Sequence, residues 1–225
     1  MPEQHLTEGT QGDNPEDIMA RSLPARHGVV HVGETSPLHQ LCEAFGRAVD
    51  ARDGLREGHA HDAAYYAGLL AREFDLSDDQ VKQIEYAALL HGIGKISLPD
   101  AILQKSIPLT TGEMEQVHDS VVTGSSWLRD VEGFEVIADL VRHQGERWDG
   151  TGYPDNLSAE AIPFGARILA VALRFAAMIR PRADRPALSV VSGALEFVAY
   201  DAGLALDPTV VRAFLVLMGR EYSSE

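Results

Sequence analysis

The chain has a single cysteine, Cys42, and is poor in basic residues: 19 Lys and Arg stand against 34 Asp and Glu in 225 residues, a formal charge of −15. One cysteine excludes a disulfide framework. Because Cys42 falls on an apolar helical stripe with Leu38, Leu41, Phe45 and Val49, it reads as a core thiol rather than a reactive one. The shortage of positive charge excludes a basic face that could track a phosphate backbone, so nucleic acid is not an expected partner. Long hydrophobic runs are missing too. The longest, ILAVALRFAAMI at 168–179, is short and broken by Arg174, which argues against a membrane span; the polar, acidic N-terminus lacks the apolar segment of a signal peptide, and a cytoplasmic location is expected.

What is present is a helical apolar period from Ser36 onward, punctuated by capping chemistry. Ala60, Ala63, Ala64, Ala67, Leu70 and Phe74 make one face of a second helix after that of Cys42. Ser77 with Gln80, and Thr110 with Glu113, are capping boxes that open two more. Their inward stripes are Val81, Ile84, Ala88 and His91, and Met114, Val117, His118 and Val121. Phe134 to Val141 make a fifth helix, and Pro163 leads into the nearly all-apolar run ending at Ile179, which predicts a central buried helix. Ser189 and Asp207-Pro208 mark two further starts. The pattern predicts an all-α bundle of about seven or eight helices in one domain, 37–225. Residues 1–36 are expected to be a tail or arm, largely disordered, with one β-branched run at Val29 to Val32.

Four histidines stand where a helical stripe ends or should be aliphatic: His59, His91, His118 and His143. Taken singly, each is most simply a boundary histidine satisfied by backbone. Together they suggest imidazoles converging on one transition-metal ion.

Several long stretches carry a resemblance that runs from about residue 38 to the C-terminus. They are ARDGLREGH (51–59), AALLHGIGKISLPDAILQK (87–105), the histidine of EQVHDS, the block ERWDGTGYPDNLSAEAIPFGARILAVA (146–172) and RPALS (185–189). In these the sequence resembles the HD-GYP domains, the branch of the HD phosphohydrolase superfamily that hydrolyses cyclic di-GMP. The resemblance implies a helical HD bundle, two or three iron or manganese ions, and a bridging water that attacks the phosphodiester phosphorus.

Residue by residue, the resemblance implies a depleted site. His59 and His91 match metal-binding histidines, His118 matches the next one, and Lys95 matches the lysine of the signature loop. The aspartate expected after His91 is Gly92, the histidine pair before Glu146 falls on Gln144 and Gly145 with His143 one place early, and two later aspartates align with Leu173 and Ala176. A cluster of cations without carboxylates would be uncompensated in a protein interior, so family-type hydrolysis is expected to be absent or very slow. The expectation is no cofactor; the alternative is a single Fe, Mn or Zn ion on His59, His91, His118 and His143. The signature loop is kept at Glu146, Arg147, Trp148, Asp149, Gly150, Gly152, Tyr153 and Pro154, and Arg167, Arg182 and Arg185 match arginines near the family's substrate pocket. These residues and Lys95 are candidates for phosphate recognition, although Arg147 and Asp149 would equally serve to pin the loop. Three functions follow: an interaction module meeting a GGDEF-domain partner through the loop, a cyclic di-GMP sensor that does not cleave, or a phosphodiesterase with a rearranged metal site. A homodimer is compatible with each.

Overall fold

The computed structural model describes residues 36–53, 58–105, 107–179 and 191–223. The expected N-terminal tail, the Val29–Val32 run, Arg182, Arg185 and the Ser189 cap lie outside these. Among the described residues there are nine α-helices and no strand: α1 Pro37–Arg52, α2 His59–Glu73, α3 Asp78–Leu90, α4 Asp100–Leu103, α5 Thr111–Arg129, α6 Glu135–His143, α7 Phe164–Ile179, α8 Val191–Tyr200 and α9 Pro208–Ser223. The count exceeds the expected seven or eight because α4 is a single turn that carries no periodic signal.

The start signals work as chemistry. Ser77 and Thr110 each accept from the backbone N–H three residues on, while Gln80 and Glu113 reach back to the cap. Asp207 accepts from the backbone of Thr209 at 2.7 Å and Pro208 takes the first helical position of α9.

Helix α7 runs through the centre, with Ile168, Leu169, Val171, Ala172, Phe175 and Ala176 fully buried. Helices α2 and α3 pack against it and each other, and Tyr66, Phe175 and Phe214 lock edge to face where α2, α7 and α9 meet. The expected inward stripe of α1 is corrected in part: Cys42 and Val49 are buried, but Leu38, Leu41 and Phe45 are exposed. Helix α1 instead turns a narrow face of Cys42, Gly46 and Val49 to the bundle, because small residues let it approach α2 and α3 closely. The Cys42 thiol is pushed up to about 11 by burial, in keeping with a core role.

Helix α5 is held in the same way. Its buried residues are Ser120, Gly124, Ser125 and Leu128 rather than the expected Met114, which is exposed. Gly124 lies against Gly94 so tightly that a Cβ on Gly124 would fall 2.6 Å from the Gly94 nitrogen. Gly94 belongs to a 3-10 turn, Ile93–Ser97, that follows α3 and carries Lys95.

Candidate functional site

The 3-10 turn owes its shape to Arg52, the last residue of α1. Its guanidinium donates to the carbonyls of Lys95 at 3.1 Å, Ile96 at 2.5 Å and Leu98 at 2.7 Å, and to Asp100 at 3.0 Å. Lys95 is thereby presented to Asp53, with Nζ 2.6 Å from Oδ2 and the aspartate side chain only 5 % exposed. One turn back, Asp50 Oδ2 accepts from the Ala60 N–H at 3.0 Å and so anchors the first turn of α2, where His59 sits buried. His59 meets His91 edge to face at 5.3 Å.

Burial, then the neighbouring His91 and the Lys95 charge, push His59 down to about 3; burial and Lys95 push His91 down to about 4. Both rings are therefore neutral near pH 7. Burial raises the Asp50 carboxyl against the hydrogen bonds and the lysine charge that favour its ionised form. Among the described residues, two buried side-chain atoms lack a hydrogen-bond partner, Asp50 Oδ1 and His59 Nδ1.

The four candidate histidines do not form one cluster. His143 uses Nδ1 on the Asp139 carbonyl at 2.9 Å and Nε2 on Asp155 at 3.0 Å, and Asp155 is also gripped by two nitrogens of Arg142 at 2.7 Å each. His118 stacks on the Tyr153 ring with centroids 3.7 Å apart and planes 13° from parallel. No three His, Cys, Asp or Glu side chains among the described residues are grouped so as to hold a metal ion.

The positions where the resemblance requires ligands have been filled in other ways. A side chain starting at Gly92 would meet Val49 at 2.8 Å. The Gln144 amide nitrogen donates to the carbonyls of His91 at 2.8 Å and Val141 at 3.0 Å, tying the end of α6 to the end of α3. A Cβ on Gly145 would lie 2.6 Å from the ring of Tyr153, so the phenol occupies the volume that a side chain there would need. Leu173 packs against the core and Ala176 is buried in it. With carboxylates missing and their space taken, these residues do not fit the family's di-metal centre.

What remains is a cavity of about 150 Å³ lined by His91, Lys95, Val117, Val121, Gln144 and Tyr153, among others. Burial raises the Tyr153 phenol, which therefore stays neutral.

The signature loop is an internally satisfied unit. Buried Glu146 accepts from the backbone N–H groups of Asp155 at 2.7 Å and Leu157 at 3.0 Å, closing the loop on itself. Arg147 donates to Asp149 and Thr151, and Asp149 accepts from the Thr151 backbone at 3.0 Å; these bonds hold the Asp149 carboxyl well below its usual range. The backbone of Trp148 and Asp149 donates to the carbonyls of Ala205 and Leu204, joining the loop to the turn between α8 and α9. Gly150 takes a left-handed conformation, and Gly152, where a Cβ would strike the Glu146 backbone, lets the strands of the loop cross closely. Pro154 follows Tyr153 at the turn toward Asp155.

Arg167, offered by sequence as a phosphate ligand, donates to Asp207 at 2.8 Å and to the Ile162 carbonyl at 3.0 Å, and its guanidinium lies 4.9 Å from the Phe164 ring centroid. Sequence reasoning missed Asp50, Arg52 and Asp53, which shape the site from behind. Their spacing at the end of α1, with two acidic residues three apart, is the signal that would have found them.

Comparison with known proteins adds the lineage. The HD domain family matches residues 43–210. The cyclic di-GMP phosphodiesterase response regulator RpfG of Xanthomonas campestris is 37% identical over 173 residues, covering 76% of this chain and 46% of the relative. The 3'3'-cGAMP-specific phosphodiesterase 3 of Vibrio cholerae is 32% identical over 189 residues, covering 83% and 41%. A crystal structure of a cyclic GMP-AMP-specific phosphodiesterase of Vibrio cholerae shares the fold with a TM-score of 0.64 at 16% identity, over 82% of this chain and 50% of that one. The chain thus spans about half the length, or less, of these relatives.

Proposed function

This chain belongs to the HD domain family, in its HD-GYP branch, and from that premise we propose that it is a recognition module of cyclic dinucleotide signalling that does not hydrolyse its ligand. The carrying observation is the seating of Tyr153 in the space beside Gly145, stacked on His118. A ligand pair expected on Gln144 and Gly145 is thus replaced by a brace and an aromatic plug. The reading is strengthened by the ion pair of Lys95 with buried Asp53, 2.6 Å apart, which commits that carboxylate to the lysine. A protein partner, of the GGDEF type suggested by resemblance, would meet the exposed side of the signature loop, which is closed by its own hydrogen bonds.

The relatives, named as cyclic dinucleotide phosphodiesterases, favour a second reading, a phosphodiesterase with a rearranged metal site. One experiment separates the two. Protein purified with and without air is analysed for metal, then incubated with cyclic di-GMP and 3'3'-cGAMP in the presence of Mn²⁺ or Fe²⁺. We expect substoichiometric metal and no linear dinucleotide above the enzyme-free control. Product that scales with protein concentration would sink the non-hydrolysing reading and establish the second.

A further inference from the structure

Helix α1 is apolar on two sides, and only one of them is covered. Cys42, Gly46 and Val49 face α2 and α3. On the outer side Leu38, Leu41 and Phe45 are 41 %, 53 % and 43 % exposed, and Ala44, Ala48 and Ala51 are exposed beside them. At about 100° per residue these six fill an arc wider than the roughly 100° stripe that a surface helix turns toward a core. The arc has no exposed acid, although the chain carries a formal charge of −15. Asp50 is buried, and Glu43 is turned aside, 3.5 Å from His39 and 3.4 Å from His61. Other exposed apolar side chains have acidic company: Trp127 and Val136 stand near exposed Asp130 and Glu135 in the sequence, and Phe197 adjoins exposed Glu196. A second acidic copy would therefore meet less repulsion at α1 than at those places.

We propose that two copies of this chain associate by packing α1 antiparallel on its twin, about a twofold axis that passes between residues 44 and 45. Self-complementarity identifies the occupant. About that axis Leu38 shares a layer of the seam with the partner's Ala51, Leu41 with the partner's Ala48, and Phe45 with the partner's Ala44. Every large side chain is matched by a methyl group, and every contact is made twice, as an isologous interface requires. A parallel pairing would set large against large at one end and alanine against alanine at the other, leaving gaps. Arg47 is the one charged residue of α1 that is exposed, and it lies at the edge of the apolar arc. A single helix pair is at the small end of protein interfaces, so the dimer is weak and reversible. Association at α1 is independent of whether the pocket hydrolyses anything.

The test is sedimentation equilibrium of the full chain, with cysteine cross-linking to read the geometry. A monomer–dimer equilibrium is expected, with a Kd on the order of 10 μM. It should tighten when salt is raised, because screening weakens the repulsion between two acidic copies and leaves the apolar seam intact. Leu41→Glu should raise the Kd at least about tenfold with an unchanged circular dichroism spectrum, since Leu41 is exposed in the single chain. Under mild oxidation Ala44→Cys should form a disulfide-linked dimer. Ala51→Cys should not, because antiparallel packing sets the two positions about 20 Å apart along the helix axis. The unaltered chain, whose Cys42 is buried, is the control. If Leu41→Glu fails to fold, the two cysteine variants decide. A chain that stays monomeric at about 50 times the expected Kd, and so leaves this face to some other partner, would overturn the proposal. So would a dimer indifferent to Leu41→Glu, or one that cross-links at 51 as readily as at 44.

Discussion

The signature loop and the pocket behind it share the segment 144–154 and have opposite characters. In the loop, Glu146, Arg147 and Asp149 are bonded to the loop's own backbone or to one another. Around the pocket, which His91 and Gln144 line, buried His59 Nδ1 and Asp50 Oδ1 have no hydrogen-bond partner. A motif can be kept because the chain needs it to close a turn, whatever the groups next to it do. Retention of the loop is therefore an argument about folding, and the pocket has to be judged on its own atoms.

Acid should separate the two regions most strongly. His59 and His91 have folded values below their ordinary ones, so between about pH 4 and 6.5 the unfolded chain binds more protons than the folded one. Their contribution to stability is complete above pH 6.5 and is lost as pH falls through that window. We expect a loss of about 3 kcal/mol between pH 7 and 5, measured by urea unfolding and roughly halved in His59→Asn. An unchanged pH slope in that variant would mean that the pocket is not the acid-sensitive region.

Next in size is Glu146→Ala, which strips acceptors from two backbone N–H groups and should cost about 2–3 kcal/mol with no change in that slope. Gly145→Ala would sharpen the boundary between the regions. Its methyl group must displace the Tyr153 ring, at about 1–2 kcal/mol and with loss of the stack on His118, visible in near-UV circular dichroism. Arg147→Ala, on a half-exposed ion pair, should cost less than about 1 kcal/mol. A larger effect there would show that the loop depends on its surface network more than on Glu146.

Much of this was legible in the sequence wherever the cause is local. Ser77, Thr110 and Asp207 announce helix starts because capping is settled within three residues. The helical period from Ser36 gives the all-α class, and the blanks at Gly92, Gln144, Gly145 and Leu173 are visible as residue types. What fills those blanks is not local. Tyr153 reaches Gly145, Val49 covers Gly92, and Gln144 reaches back fifty-three residues to His91, contacts that no spacing rule contains. Arg167 looked like a ligand because its partner, Asp207, lies forty residues away. The stripe of α1 was misjudged because period alone cannot distinguish a face made of large residues from one made narrow by Cys42 and Gly46.

The contact between Gly94 and Gly124 bears on which changes the chain can accept. At positions 92 and 145 the obstacle is a neighbouring side chain, Val49 or Tyr153, rather than backbone. At 94 and 124 the obstacle is backbone on both sides, so neither position can gain a single carbon unless α5 moves away from the turn that carries Lys95. A randomised library should leave these two sites as glycine long after the surrounding pocket has diversified, and the lysine would then be the most faithfully inherited coordinate of a site whose chemistry is free to change.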